Sequence, residues 1–403
     1  MAREDELQEV LQRSVDQGQL AGAVVLVHRR GQTDVTAAGW CDIENGLPMQ
    51  RDTIFRIASM TKPITSVAAL MLVDQDRIQL SDPISNVAPE FAHLHVLRSP
   101  DGPLEDVQEA TRPITFEDLL THRAGLTYAS FHRGPIGQAY REALGGDVID
   151  SQLTPDDWIR RLARLPLIAQ PGSLMTYGTA TDLLGFLIAR IEGESLGSVL
   201  KRRIFDPLGM IDTGFLVPRA KWSRRATAYG FDEHGRLMKR LTWGGVVVEE
   251  RPEHMAYESG SGGLWSTVDD YLKFARLFLS DGEVDGVRLL RPETLGRMMT
   301  NQLTEAQRAH SGWWGQKPFA VGRGFGLGVA VVLDPDDADM ARRGNEGTVS
   351  WPGAYGGWWL ADPKEKSVFI FLAHNMVDPS QLAKGIGIGV WAVINDAQRV
   401  ALA

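Results

Sequence analysis

The two ends of this chain carry matching patterns, and these constrain its fold more than any other feature. Residues 4–17 place Leu7, Val10, Leu11 and Val15 at helical spacing, and the alternating runs 21–28 and 33–39 flank a turn at 29–32. Such a pattern predicts a helix followed by a β-hairpin. The far end mirrors it: 326–333, 349–361 and 367–374 have strand character, and 381–397 a closing helix. Both ends are suited to a single sheet. No βαβ alternation appears, which predicts an α+β fold with an antiparallel sheet flanked by N- and C-terminal helices. Between the ends, helix-start signals recur at Thr115-Phe-Glu-Asp118, Thr154-Pro155-Asp-Asp157 and Thr267-Val-Asp-Asp270. The expected organisation is a discontinuous sheet domain, 1–87 with 236–403, interrupted by a mostly helical domain at 88–235. The stretch 81–113, rich in Pro, Asp and Ser, is the expected surface crossing into that insert.

Composition narrows the function classes. The 403 residues are 43% hydrophobic and 23% charged, ordinary for a globular chain with a sizeable core. Lys plus Arg number 42 against 51 acidic residues, a net charge of -9, which argues against a nucleic-acid partner. The longest apolar stretch, 21–27, falls far short of the ~20 residues a membrane-spanning helix needs. The opening MAREDELQEVLQRS is charged where a secretory signal carries an apolar core. Cys41 is the sole cysteine, so no internal disulfide and no thiolate zinc cluster can form. A cytoplasmic location is expected.

Chemistry concentrates at Ser59-Met60-Thr61-Lys62, which opens a helix carrying Ile64, Val67, Ala68 and Met71. A serine and a lysine three apart share a helix face. An amine beside a hydroxyl can take its proton when burial disfavours the ammonium. Spacing alone is weak evidence, since a second S-x-x-K occurs at Ser198-Val-Leu-Lys201, running into a solvated basic face at Arg202-Arg203. Ser59 is distinguished by its companions. Tyr177 lies in Pro171-Gly-Ser-Leu-Met-Thr-Tyr177-Gly-Thr179, just ahead of a helical run, where a phenol can share a proton with a lysine and then activate water. Trp351-Pro352-Gly353-Ala354 falls on an expected edge strand, where glycine admits close approach to the backbone and Ala354 can donate its amide.

Together these elements resemble the serine β-lactamase and penicillin-binding-protein superfamily, whose signatures are S-x-x-K, a Tyr-x-Asn or Ser-x-Asn element, and K-T-G. The likeness is greatest to the family VIII carboxylesterases, then to class C β-lactamases. Further segments look like family landmarks in family order: Phe55-Arg-Ile-Ala-Ser59, Leu119-Leu-Thr-His-Arg-Ala-Gly125-Leu, Phe205-Asp-Pro-Leu-Gly-Met210, Gly262-Gly-Leu-Trp-Ser-Thr267 and Gly324-Phe-Gly-Leu-Gly328. The resemblance implies Ser59 as nucleophile, Lys62 and Tyr177 as the proton-handling pair, and the amides of Ser59 and Ala354 as an oxyanion hole. It implies a small-molecule ester as substrate and neither cofactor nor metal. Which of Lys62 and Tyr177 takes the serine proton stays open, because two coupled groups titrate as a pair.

Two positions depart from the β-lactamase pattern. Thr179 replaces Asn, keeping a hydroxyl and losing an amide. Trp351 replaces the Lys of K-T-G, as in the family VIII esterases. Penicillins present a carboxylate that this lysine would pair, and an indole offers no charge. Short neutral esters are therefore the expected substrates, with β-lactam or amide hydrolysis and acyl transfer as alternatives on the same residues. Tyr355, Trp313, Trp314, Trp358 and Trp359 are candidate apolar walls, and Gly353, Tyr355, Thr179 and Trp351 candidate substrate contacts.

A rival site is Gly193-Glu-Ser195-Leu-Gly197, which matches the G-x-S-x-G elbow of α/β-hydrolases, with His374 and Asp334 or Asp362 as partners. That elbow needs a preceding strand, whereas Leu183, Leu184, Leu187, Ile188 and Ile191 repeat at helical spacing. His93 and His95 have no companion ligands, and no nucleotide-binding glycine motif is present. A third reading, in which the fold survives as a non-catalytic binding or scaffolding protein, leaves the joint presence of Ser59, Lys62 and Tyr177 without a purpose.

Overall fold

Leu7 and Leu11, one helical turn apart and buried, fix the orientation of the first helix, α1 (Ala2–Asp16), against the sheet that follows. The computed structural model describes residues 2–145, 152–240, 242–243, 246–247, 257–312, 317–337, 344–376, 379–382 and 384–402. The hairpin is β1 (Gly22–Arg29) and β2 (Gln32–Asp42), and a short β3 (Leu47–Pro48) extends it. Helices α2 (Thr61–Asp74), α3 (Ala180–Glu192) and α4 (Leu196–Leu200) lie between the two ends. The chain returns to the sheet through β4 (Arg323–Phe325), β5 (Ala330–Val332), β6 (Val349–Gly353), β7 (Gly357–Asp362) and β8 (Ser367–Ala373), and closes with α5 (Ile388–Leu402).

Those strands form one eight-stranded sheet in the order β4-β5-β6-β7-β8-β1-β2-β3, with antiparallel neighbours. The first and last parts of the chain meet at its centre, where Leu26 faces Ile370 and Ala23 faces Ala373. Alternation along the strands serves two cores. Val25, Val27, Trp358, Leu360, Phe369 and Phe371 join Leu7, Leu11, Val393, Ile394 and Ala397 under α1 and α5. Val24, Leu26, Trp351, Trp359, Ile370 and Leu372 face the larger core that holds α2 and α3. The α+β architecture with terminal helices on an antiparallel sheet is the one expected.

Several boundaries differ from the expected ones. The run 349–361 is two strands joined by a turn, not one, and of 326–333 only 330–332 is strand, 326–329 being the connection of the β4–β5 hairpin. Apolar content is continuous through both, so periodicity alone could not reveal the turns. The closing helix starts at Ile388, not 381, because glycines at 385, 387 and 389 penalise helix there. Pro352 sits on an interior strand rather than an edge, yet the β5–β6 ladder ends at Ser350 and Val349. Beyond Ser350 that side of β6 carries no partner in the ladder, so the missing amide hydrogen costs nothing.

Trp358 and Trp359 are core residues, not cleft walls. The Trp358 indole donates to Gln398 Oε1 at 3.1 Å beneath α5, and Trp359 packs on Tyr271 and Phe278. Trp313 and Trp314 lie outside the described residues. Among the described residues, no helix is long and apolar enough to cross a membrane.

Candidate active site

Phe55 and Arg56 pair with Ser266 and Trp265, which holds the segment before Ser59 in place. Ala58 then adopts φ 45°, a left-handed conformation that costs a non-glycine residue free energy. A tight turn, Ala58–Met60, carries Ser59 into α2. Ser59 is partly exposed, whereas Lys62, one turn on, is 1% exposed. The S-x-x-K spacing thus leaves the serine partly open to solvent and the lysine beneath it.

Three side chains converge there. Lys62 Nζ donates to Ser59 Oγ at 3.2 Å, and Tyr177 OH donates to the same oxygen at 3.0 Å. Nζ also lies 4.7 Å from the centroid of the Tyr177 ring. Tyr177 reaches Ser59 because Gly178 lets its segment press against Thr127, where a Cβ would meet Thr127 Cα at 2.4 Å. Below, the Tyr177 ring packs on His122 at 4.8 Å and on Trp351 at 5.5 Å. Burial, then the charge of Lys62, drive His122 well below the usual histidine range, so it stays neutral.

The end of β6 packs against the segment that precedes Ser59. Packing requires a glycine at 353, since a Cβ there would meet Ile57 O at 2.6 Å. This contact seats the Ala354 turn beside Ala58. Trp351 is 3% exposed, wedged between Tyr177 and Phe325, and its indole nitrogen has no hydrogen-bond partner. The Thr179 hydroxyl is buried and unpartnered at the start of α3. Tyr355 is 1% exposed in a cluster with Ala58, Ala228 and Met376, its ring 4.7 Å from His374. It supports the turn from behind rather than walling the cleft.

The structure adds residues that sequence reasoning missed. Lys62 Nζ also donates to Tyr128 OH at 3.3 Å and to Ser261 O at 2.9 Å. Thr65 and Thr61 bond the same loop, at Gly260 O and at the Leu264 amide. Asp182, 2% exposed, accepts from Ser259 Oγ at 2.6 Å and from Ser261 Oγ at 2.7 Å. The available signal was the run Ser259-Gly-Ser-Gly-Gly263, whose small residues permit a loop to lie tightly on two helices.

The rival elbow is not assembled. Ser195 caps α4, accepting from the Ser198 amide and donating to Glu258, and the residues before it are α3. His374 is buried elsewhere, its Nδ1 2.6 Å from Ala226 O, while Asp334 is exposed and Asp362 binds Asn345 and the amides of Lys364 and Glu365. Ser198 and Lys201 are both exposed, Lys201 paired with Asp206. His93 and His95 are both on the surface, and among the described residues no His, Cys, Asp or Glu cluster could hold a metal.

Burial and then Arg56 lower the His374 pKa to about 3, so the unfolded chain binds a proton there that the folded chain refuses. The resulting stability is complete above pH ~6.5 and is lost progressively as pH falls towards 3. His374→Gln is therefore expected to flatten the fall of the thermal midpoint between those values. An unchanged slope, measured by thermal unfolding across the range, would place the acid sensitivity elsewhere.

A sequence model of the Beta-lactamase family matches residues 7–387. Protein Rv1367c of Mycobacterium tuberculosis (strain ATCC 25618 / H37Rv) is 45% identical over 370 residues, covering 91% of this chain and 88% of that protein. Esterase EstB of Burkholderia gladioli is 32% identical over 371 residues, covering 88% and 86%. The solved structure of EstCE1, described as a hydrolase with promiscuous acyltransferase activity, is similar with a TM-score of 0.78 at 29% identity, covering 98% of each chain. With this match along nearly its whole length and the β-lactamase/transpeptidase-like fold in place around Ser59, the chain belongs to the Beta-lactamase family.

Proposed function

We propose that the protein is a serine hydrolase that cleaves short-chain carboxylic esters through an acyl-enzyme on Ser59. The observation that carries this reading is the double hydrogen bond on Ser59 Oγ, from Lys62 at 3.2 Å and Tyr177 at 3.0 Å. In the form of the Lys62–Tyr177 pair that has given up one proton, Oγ attacks the ester carbonyl carbon, its proton passes to that pair, and the oxyanion is stabilised by the Ser59 and Ala354 amides. The pair returns the proton to the leaving alcohol. Water then enters, gives a proton to the same pair and releases the acid, restoring Ser59. The kinship to an esterase, EstB, supports the substrate class. Acyl transfer to an alcohol uses the same steps with the alcohol in place of water, and EstCE1 is described as having such an activity.

Selectivity rests on Trp351. Its buried indole stands where the family's K-T-G lysine would meet a carboxylate, so a penicillin loses a charge partner while a neutral ester loses nothing. The expected result is a kcat/KM for p-nitrophenyl butyrate ~10–150-fold above that for a penicillin under identical conditions, the loss of a charge-assisted hydrogen bond being worth roughly 1.5–3 kcal/mol. A penicillin value equal to or above the ester value would overturn the esterase assignment.

A further inference from the structure

Lys62 carries three hydrogen bonds and none of them goes to a carboxylate, although its ammonium is almost wholly out of water. An uncompensated buried charge is expensive. The compensation lies one bridge away. Lys62 Nζ donates to Tyr128 OH at 3.3 Å, Tyr128 OH donates to Ser261 Oγ at 3.2 Å, and Ser261 Oγ donates to Asp182 Oδ2 at 2.7 Å. Every donor in this chain points the same way, from an ammonium end to an anionic end. Asp182 Oδ1 is filled by Ser259 Oγ at 2.6 Å and the Ser261 amide at 3.1 Å. The carboxylate is therefore held as an acceptor on both oxygens.

We propose that Asp182 is the buried counter-ion of Lys62, bridged to it by Tyr128 and Ser261, and that it sets how strong a base the site presents to Ser59. The proposal rests on the hydrolase reading above only for its kinetic consequence; the charge pair itself does not. Asp182 touches neither Ser59 nor a substrate and acts through other groups, so it is a positioning residue. Burial pushes its carboxyl above the usual range, opposed by the Ser259 hydroxyl, the Lys62 charge and the Ser261 donors. The other titratable groups that face the pair are Tyr128, Tyr177 and His122, the last neutral through burial. Tyr271, bonded to Met60 O, is kept a neutral phenol by burial, and Glu258 spends its carboxylate on the Gly197 amide and Ser195.

Two consequences separate a counter-ion from a structural strut. Without the ammonium, a buried carboxylate takes up a proton. Infrared difference spectra of protein labelled with carboxyl-13C aspartate should therefore show a carboxylic-acid band in Lys62→Met at neutral pH. That band should be absent from wild type and from Lys62→Met/Asp182→Asn. Its absence from folded Lys62→Met would overturn the proposal, and this readout needs no catalytic activity. Removing the negative charge lowers the proton affinity of Lys62 and Tyr177 alike, whichever is the base. The acid limb of kcat/KM for p-nitrophenyl butyrate should then move to lower pH by about one unit in Asp182→Asn. A limb that stays in place while the plateau falls would mean that Asp182 only braces the loop. Retention of hydrolysis in Ser59→Ala would instead overturn the hydrolase reading and leave the infrared test standing.

Discussion

Ser59→Ala is expected to lower kcat/KM for p-nitrophenyl butyrate by ~10^4-fold or more, while Ser195→Ala stays within about twofold of wild type. Lys62 and Tyr177 both donate to Ser59 Oγ, and Ser59 is partly exposed. Removing it leaves no atom to form the acyl-enzyme. Ser195 is the cap of a short helix, with Ser198 and Glu258 as its partners. Its loss should cost about 1 kcal/mol of stability and no chemistry. Steady-state rates for both variants, with circular dichroism to establish folding, decide the matter. An active Ser59→Ala beside a folded, inactive Ser195→Ala would reverse the assignment.

The next largest effect is expected from the proton-handling pair. Lys62→Ala and Tyr177→Phe should each reduce kcat by ~10^2–10^4-fold, and the double variant by far less than the product. Both groups donate to one oxygen, and the Lys62 charge rests over the Tyr177 ring, so they share one proton inventory. Once either is gone, the other cannot complete the transfer. Losses that multiply in the double variant would show that the two act in separate steps.

The parts of this site that could be read from the sequence are those where a residue type and a spacing serve one physical requirement. Ser59 and Lys62 are three apart across the helical turn that opens α2, so their proximity follows from local helical geometry. The sheet was legible because its central strands, β8 and β1, lie near the two chain ends and alternate clearly. Asp182 was not legible. An acid in the first turn of a helix is ordinary on dipole grounds, and nothing local marks it as buried. Its significance comes from a loop 77 residues away in sequence, through Ser259. Tyr128 was hidden for the same reason, being placed by the tertiary course of its loop against Lys62. The aromatic residues of β7 misled because alternation decides which side of the sheet each indole meets, and both sides are buried.

The central claim is that one serine, Ser59, is chemically activated, and covalent labelling tests it most directly. The wild-type protein would be treated with a fluorophosphonate, its intact mass measured and the modified peptide mapped. A single adduct on Ser59 is expected, lost in Ser59→Ala and strongly slowed in Lys62→Ala and Tyr177→Phe. An adduct on Ser195, or ester hydrolysis that continues undiminished with Ser59 unlabelled, would contradict the claim.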